Sequence, residues 1–228
     1  MLLDNKTVLI TGANGALGQS AARRAAALGA KKLVLVDVTP EIRSESVGCE
    51  VLEQQLDLTD AEATATFVAT LDRVDVLLNI AGGFDMGPTT WEATDEQWQA
   101  MFNINVATMQ NTVRACVPDM IAQGSGSIVN VGALGALQGQ GLMSSYIASK
   151  SAVMRLTESL AAEVKDKGIN VNAVLPNVID TPRNRGDMPD ADYSLWVDPD
   201  DLANVMCMLG SDMARAMHGA LVPVSGLG

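Results

Sequence analysis

Tyr146 and Lys150 stand four residues apart in the run Tyr146-Ile147-Ala148-Ser149-Lys150. On a helix, side chains at that spacing share one face. An ammonium beside a phenol favours the phenolate and lowers its pKa from about 10 toward working pH. A tyrosine tuned this way can give a proton to an oxygen or take one back, which is general acid–base chemistry on a carbonyl or an alcohol. The spacing alone is a weak signal, because it also arises by chance in helices. It gains weight only beside a second feature that could hold the other half of a reaction.

That second feature is Thr11-Gly12-Ala13-Asn14-Gly15-Ala16-Leu17-Gly18, a TGxxxGxG run between an apolar stretch and an alanine-rich helical one. The plain reading is a glycine-rich turn. Its place between a first strand and a first helix favours a dinucleotide cradle instead. Gly12 would permit the tight turn, Gly15 would let backbone N–H groups approach a pyrophosphate, and Gly18 would let helix and strand pack closely. The helix N-terminus starting at Ala16 and Leu17 would then face the phosphates with its partial positive charge. Asp37 ends the next apolar run. An acid there can accept hydrogen bonds from a ribose and would repel a 2′-phosphate. Asn14 is uncharged, and Arg43 follows too late to neutralise Asp37 at once, so NAD is expected over NADP.

These residues need a scaffold. Apolar runs at Lys6–Ile10, Lys32–Asp37, Val51–Asp57, Val74–Ala81, Ser127–Gly132, Ile169–Leu175 and Ala220–Ser225 read as strands. Helical segments alternate with them. They are Ala16–Leu28, a segment opened by Thr59 with Glu62 and running through Leu71, a long one opened by Thr94 with Gln97, Ser144–Lys165, and Asp200–Leu209. Pro118 is expected to kink or interrupt the third. Strands apolar on both faces imply a parallel sheet covered by helices on each side. The expectation is an α/β fold, a Rossmann-type doubly wound parallel sheet of about seven strands. One domain, 1–228, accounts for the length. Within it, Asn177–Pro199 reads as a long substrate-side loop after a strand end.

Composition narrows the function. The formal net charge is −12, which speaks against nucleic acid or an anionic membrane as a partner. The basic pairs Arg23-Arg24 and Lys31-Lys32 read as solvated. Cys49, Cys116 and Cys207 are odd in number and show no CxxC spacing, so no disulfide framework is expected. His218 is the sole histidine and builds no metal site. No leader or apolar span stands out, and the expected location is the cytoplasm.

The motifs together resemble the short-chain dehydrogenase/reductase superfamily. Besides the glycine run and the Tyr146–Lys150 run, the resemblance rests on Asp57-Leu58, Asn79-Ile80-Ala81-Gly82, Asn105 and Val171-Asn172-Ala173-Val174-Leu175-Pro176, in the family's order along nearly the whole chain. It implies a nicotinamide cofactor, a small-molecule substrate and a homodimer or homotetramer. It also implies roles. Asp57 would contact adenine. Asn79, Ala81 and Gly82 would line the cofactor ribose, with Leu58, Pro176 and Val178 also along the cofactor. Asn105 would hold a water in a proton relay through Lys150. Lys150 would also bind the nicotinamide ribose, and Thr181 would sit near the carboxamide.

Two positions depart from that pattern. The family's serine 13 positions before the tyrosine is Ala133 here, and Asn177 replaces the usual glycine after the proline. A missing hydroxyl donor costs about 10²–10³ in rate where it matters. Three readings stay open: a carbonyl/alcohol oxidoreductase in which Ser144, Ser145 or nothing replaces the serine; reduction of a quinonoid substrate, as in the dihydropteridine reductase branch, which also carries alanine there and has a similar 180–196 segment; and an NAD(H)-binding scaffold with little catalysis. Ala133, Met188, Tyr193 and Trp196 are the candidate substrate wall. Arg183 and Arg185 are free for an anion or paired with Asp187, Asp190 or Asp192. Trp91 and Trp98 read as core or subunit interface, and Met206–Met208 as core filling.

Overall fold

The computed structural model describes residues 1–42 and 48–227; Arg43 lies outside them. Seven parallel strands form one sheet in the order β3-β2-β1-β4-β5-β6-β7. They are β1 (Thr7–Thr11), β2 (Lys32–Asp37), β3 (Glu50–Gln55), β4 (Val76–Asn79), β5 (Gly126–Val131), β6 (Ile169–Pro176) and β7 (Leu221–Val224). The helices are α1 (Ala16–Ala27), α2 (Ala61–Val68), α3 (Asp95–Phe102), α4 (Thr108–Gln123), α5 (Ser144–Val164), α6 (Pro182–Asp187) and α7 (Pro199–Leu209). The strand count and the doubly wound Rossmann architecture are as the alternating pattern predicts.

Side chains of successive strand residues go to opposite faces, and both faces are dry. Val8, Ile10, Leu33, Leu35, Val76 and Leu78 pack with Ala21 and Ala25 of α1 and Leu202 and Met206 of α7. Their neighbours Leu9, Val34, Val36 and Leu77 pack on the other face with Val68 of α2, Cys116 and Met120 of α4, and Ala161 and Val164 of α5. Each large aliphatic buried this way contributes about 1.5–3 kcal/mol. The edge strand β3 alternates exposed and half-buried residues, which explains its weaker apolar pattern.

Several boundaries differ from the sequence expectation. The cap of α2 is Asp60, whose carboxylate accepts from the Ala63 N–H at 2.9 Å. Thr59 instead donates both N–H and hydroxyl to Asp57, at 2.9 and 2.7 Å, so it is bound one residue too early to cap. The Thr94–Gln97 capping box does open α3. The long helix is interrupted by a π-helical turn at Asn103–Ala107 and not by Pro118, which sits inside α4. The segment 177–199 carries structure of its own: α6, a 3₁₀ turn at Tyr193–Leu195, and a bridge from Ile179 to Val197. Trp91 is exposed by 84%, so it is not a core residue. Met206 is fully buried, as expected of core filling. Among the described residues, no helix is long and apolar enough to cross a membrane, and no group of three or more His, Cys, Asp or Glu could hold a metal ion.

Candidate active site

The strand order reverses between β1 and β4, and open α/β sheets bind ligands outside the strand ends at such a switch point. Gly12 turns the chain there with φ +66°, and a Cβ on it would come within 2.9 Å of the Ala81 N. A Cβ on Gly18 would run into the Gly12 carbonyl oxygen, so α1 lies directly on the turn. Gly15 is exposed and caps α1 with backbone only; no side-chain hydrogen bond satisfies the first N–H groups of this 12-residue helix. Asn14 and Ala16 are half-buried beside it, while Leu17 points into the core. The Thr11 hydroxyl accepts from the N–H groups of Ile80 and Ala81, both at 3.0 Å, and so ties the end of β4 to the turn.

Asp37 is buried at the end of β2. Its carboxylate accepts from the Asn14 N–H at 2.9 Å and from the Thr39 N–H and hydroxyl at 3.0 and 2.8 Å. It therefore fixes the glycine turn to the second strand. Asp57 is exposed and held below the ordinary carboxylate range by the Thr59 hydroxyl and N–H. Leu58 is buried next to it, its carbonyl bonded by the Asn111 amide at 2.9 Å.

The Asn79 side chain departs from its expected place along the ribose. Its amide donates to Asn130 Oδ1 at 2.8 Å and its oxygen accepts from Thr112 at 2.7 Å. Asn130 in turn donates to Thr157 at 2.9 Å. All four are buried, so this side chain bolts β4 and β5 to α4 and α5. Only its backbone is left for the cleft.

Asn105 lies in the π turn, 2% exposed. Its Oδ1 accepts from the Gly83 N–H at 2.9 Å, and its Nδ2 donates to the Gly83 carbonyl at 3.1 Å and to the Ser149 hydroxyl at 3.0 Å. Ser149 donates onward to the Tyr146 carbonyl at 2.8 Å. The extra residue of the π turn thus aims Asn105 at both the 82–84 turn and the helix of Tyr146. Gly82 is exposed, yet a Cβ there would meet Asn105 Oδ1 at 2.8 Å and Lys150 Nζ at 3.2 Å. Three expected site residues from three elements are thereby in one place.

Tyr146 and Lys150 share the face of α5 that the spacing predicts, but their titration is not as expected. The Lys150 Nζ donates to the Val131 carbonyl at 2.9 Å, and no hydrogen bond joins it to Tyr146 among the described residues. Burial pushes Tyr146 up to about 12 and Lys150 down to about 8. The ammonium does not pull the phenol down here because desolvation opposes charge on both groups. Phe84 meets the Tyr146 ring edge-on, with centroids 4.8 Å apart.

Ala133 is buried beside Ala136, Ile147, Met154 and Leu175, with Leu134, Met143 and Tyr146 packed against them. Pro176 is buried at the end of β6 and Val178 is half-buried, its carbonyl bonded by the Val197 N–H at 2.9 Å. Thr181 caps α6 through its hydroxyl, which accepts from the Asn184 N–H at 3.1 Å. In the same segment Tyr193 and Trp196 pack on each other at 4.8 Å, and the Tyr193 hydroxyl donates to the Pro189 carbonyl at 2.9 Å. Arg185 forks onto Asp180, both contacts 2.6 Å, and lies 4.6 Å over the Tyr193 ring. Its acidic partner is therefore Asp180, and Arg183 reaches Asp187 at 3.8 Å. Tyr193 and Trp196 hold each other in place within the segment, and Met188, 39% exposed, stays at the surface of the loop.

Asn111, Thr112, Asn130 and Thr157 carry no assignment from the sequence. Polar residues inside otherwise apolar strands and helices were the available signal, since buried polar groups need partners. A cavity of about 340 Å³ lined by Leu71, Cys116, Asp119 and Gln123 lies toward the opposite strand ends and contains none of these groups.

The glycine turn, the N-terminus of α1 without a side-chain cap and the close approach of Gly82 to Lys150 gather at the carboxyl ends of β1 and β4, an arrangement that fits a dinucleotide. A doubly wound sheet with that turn at its switch point and a tyrosine–lysine face beside it defines an oxidoreductase of Rossmann type. A family model for short chain dehydrogenase matches residues 6–192, and the chain belongs to that family. Among curated relatives, a 2,5-dichloro-2,5-cyclohexadiene-1,4-diol dehydrogenase of Sphingobium indicum is 31% identical, covering 98% of this chain and 96% of the relative. Carveol dehydrogenase from Mycobacterium avium, solved in complex with NAD, superposes with a TM-score of 0.89 at 27% identity, covering 99% of this chain and 98% of that one. An NAD(P)-dependent gluconate 5-dehydrogenase from Beutenbergia cavernae, so described provisionally and solved with bound NADP, gives 0.90 at 30% identity, over 98% and 96%.

Proposed function

We propose that the chain is an NAD(H)-dependent oxidoreductase acting between a small carbonyl and the corresponding alcohol, with Tyr146 as general acid and base. The observation that carries this is the meeting at Gly82, where Lys150 Nζ and Asn105 Oδ1 converge next to the Tyr146 face of α5. A nicotinamide bound there would supply or accept the hydride. Tyr146 gives its proton to the substrate oxygen in reduction and takes the hydroxyl proton in oxidation. Lys150 would hold the ribose hydroxyls of that cofactor. Asn105 is a positioning residue, which fixes Gly83 and, through Ser149, the first turn of α5.

The family neighbours include one protein bound to NAD and one bound to NADP. Asp37 supports NAD for this chain. Its carboxylate stands buried at the end of β2 and would oppose a 2′-phosphate. The protein is proposed to work as a homodimer or homotetramer, which light scattering checks.

The test is loss of NADH absorbance over a panel of small ketones, with a quinonoid dihydropterin included. Tyr146→Phe should lower kcat by roughly 10²–10⁴-fold while NADH still binds. Turnover unchanged in that variant would sink the assignment. Calorimetry should find NADH bound more tightly than NADPH; the reverse order would remove the Asp37 argument. Ala133→Ser separates the scaffold reading, because activity appearing only in that variant would make the native chain a degenerate enzyme.

A further inference from the structure

We infer that the substrate is an uncharged, ring-bearing ketone or secondary alcohol seated against Phe84 and Ala133, with Phe84 as the specificity-determining side chain. This rests on the reading of Tyr146 as the acid–base group. Three observations carry it. First, Phe84 packs edge-to-face with the Tyr146 ring at 4.8 Å and is still 39% exposed, so it is a side chain that can touch both the tyrosine and a ligand from solvent. Its position is fixed, because Gly83 beside it is bonded at both N–H and carbonyl by Asn105.

Second, the segment that runs from β5 into α5 carries no charge. Ala133 stands in an apolar cluster with Ala136, Ile147, Met154 and Leu175 that includes the flank of Tyr146. The sequence has no charged residue between Asp119 and Lys150, so all of β5, the following turn and the start of α5 are uncharged. A charged substrate would leave its charge unpaired against the apolar cluster around Ala133, which costs more than an apolar ring does.

Third, the rim is apolar. Phe84, Met86, Leu137, Leu142, Met188 and Leu195 are all exposed by 39–58%. They come from the segments that follow β4, β5 and β6, the carboxyl ends where ligands enter this sheet. The first two segments are tied together by the Gly87 N–H donating to the Leu142 carbonyl at 2.9 Å. Exposed apolar groups gathered at one place mark a binding site. Aromatic ring pairs prefer edge-to-face or offset geometry, and Phe84 already presents such a ring.

The experiment compares NAD-dependent oxidation of 1-phenylethanol with that of erythritol, in the full-length protein and in Phe84→Ala, Phe84→Tyr and Tyr146→Phe variants. The wild type should favour the ring alcohol in kcat/KM. Phe84→Ala should reduce that preference about tenfold, mainly through KM, and Phe84→Tyr should restore it. Saturation-transfer NMR should show the phenyl protons of 1-phenylethanol bound to the wild type and weakened in Phe84→Ala. The proposal is overturned if erythritol is preferred, or if Phe84→Ala leaves the ratio and the NMR signal unchanged. It is also overturned if that variant alters only the oligomer mass, which would make the rim a contact between copies. If Tyr146→Phe retains turnover, the acid–base reading fails instead. If neither alcohol turns over, the NMR comparison decides.

Discussion

The two sides of the cleft are built by different means. On the cofactor side, Gly12, Gly18, Thr11 and Asp37 join β1, α1, β2 and the end of β4 through backbone contacts and short hydrogen bonds. Among the described residues, the one long side chain that joins in is Gln19, whose amide donates to the Asn14 carbonyl at 3.0 Å. On the proposed substrate side, the segment 177–199 is held by side chains paired with one another: Arg185 on Asp180, Tyr193 on Trp196, Tyr193 on the Pro189 carbonyl. Backbone-built sites tolerate little change, whereas surfaces of exposed side chains tolerate much. The first side can thus stay constant while the second is remade for another substrate.

The sharpest way to break that contrast is Gly18→Ala. The added methyl runs into the Gly12 carbonyl oxygen, so helix and turn must separate. We expect a loss of about 1–3 kcal/mol in stability, the usual cost of overpacking, and at least tenfold weaker NADH binding. Thermal melts and calorimetry measure the two. An unchanged affinity would mean that the turn is not the cradle.

That difference also explains what was legible in the sequence. Gly12 and Gly18 are legible by type and spacing because the turn leaves no room for a Cβ at either position. The alternation of strands and helices is legible too, since apolar runs on both faces permit only a covered parallel sheet. The Asn79 side chain was misplaced because its partners Asn130, Thr112 and Thr157 are far away in sequence and their convergence needs the fold. Arg185 was misassigned for a related reason. Three carboxylates follow it closely, but the turn of α6 brings round Asp180, which precedes it. The π turn at Asn103–Ala107 left no mark in composition, and Pro118 drew attention to the wrong place.

A second, smaller effect probes the junction between the two sides. Lys150 has an ordinary value of 10.5 and sits near 8 in the folded chain. Between those values the unfolded chain holds a proton that the folded one lacks, so stability should rise with pH from about 8 toward 10. Tyr146 has the opposite sign: its value goes from 10.0 to about 12, so above pH 10 the folded chain holds the extra proton and stability falls. Melting temperatures of the wild type and Lys150→Met across pH 7–10 isolate the first contribution. The wild type should gain relative to the variant over that window. A constant difference would mean that Lys150 keeps its ordinary value and that the pair is wetter than the packing around Gly82 and Val131 implies.

The smallest effect is expected from Arg185→Ala, and its smallness is what the comparison requires. The guanidinium forks onto Asp180 and covers the Tyr193 ring, yet its side chain is 52% exposed. Solvent and salt screen such a pair, so its geometry does not convert into much stability. The melting temperature should stay within error of the wild type, and NADH affinity should not move, because the hydrogen bonds of Arg185 run to Asp180 within its own segment. What can change is the orientation of Tyr193 and Trp196, and through them KM for substrate by a few-fold. Steady-state kinetics with a fixed NADH concentration would read this. A large fall in NADH affinity would show that the 177–199 segment helps to build the cofactor side, and the division between a backbone-built half and a side-chain-built half would have to be given up.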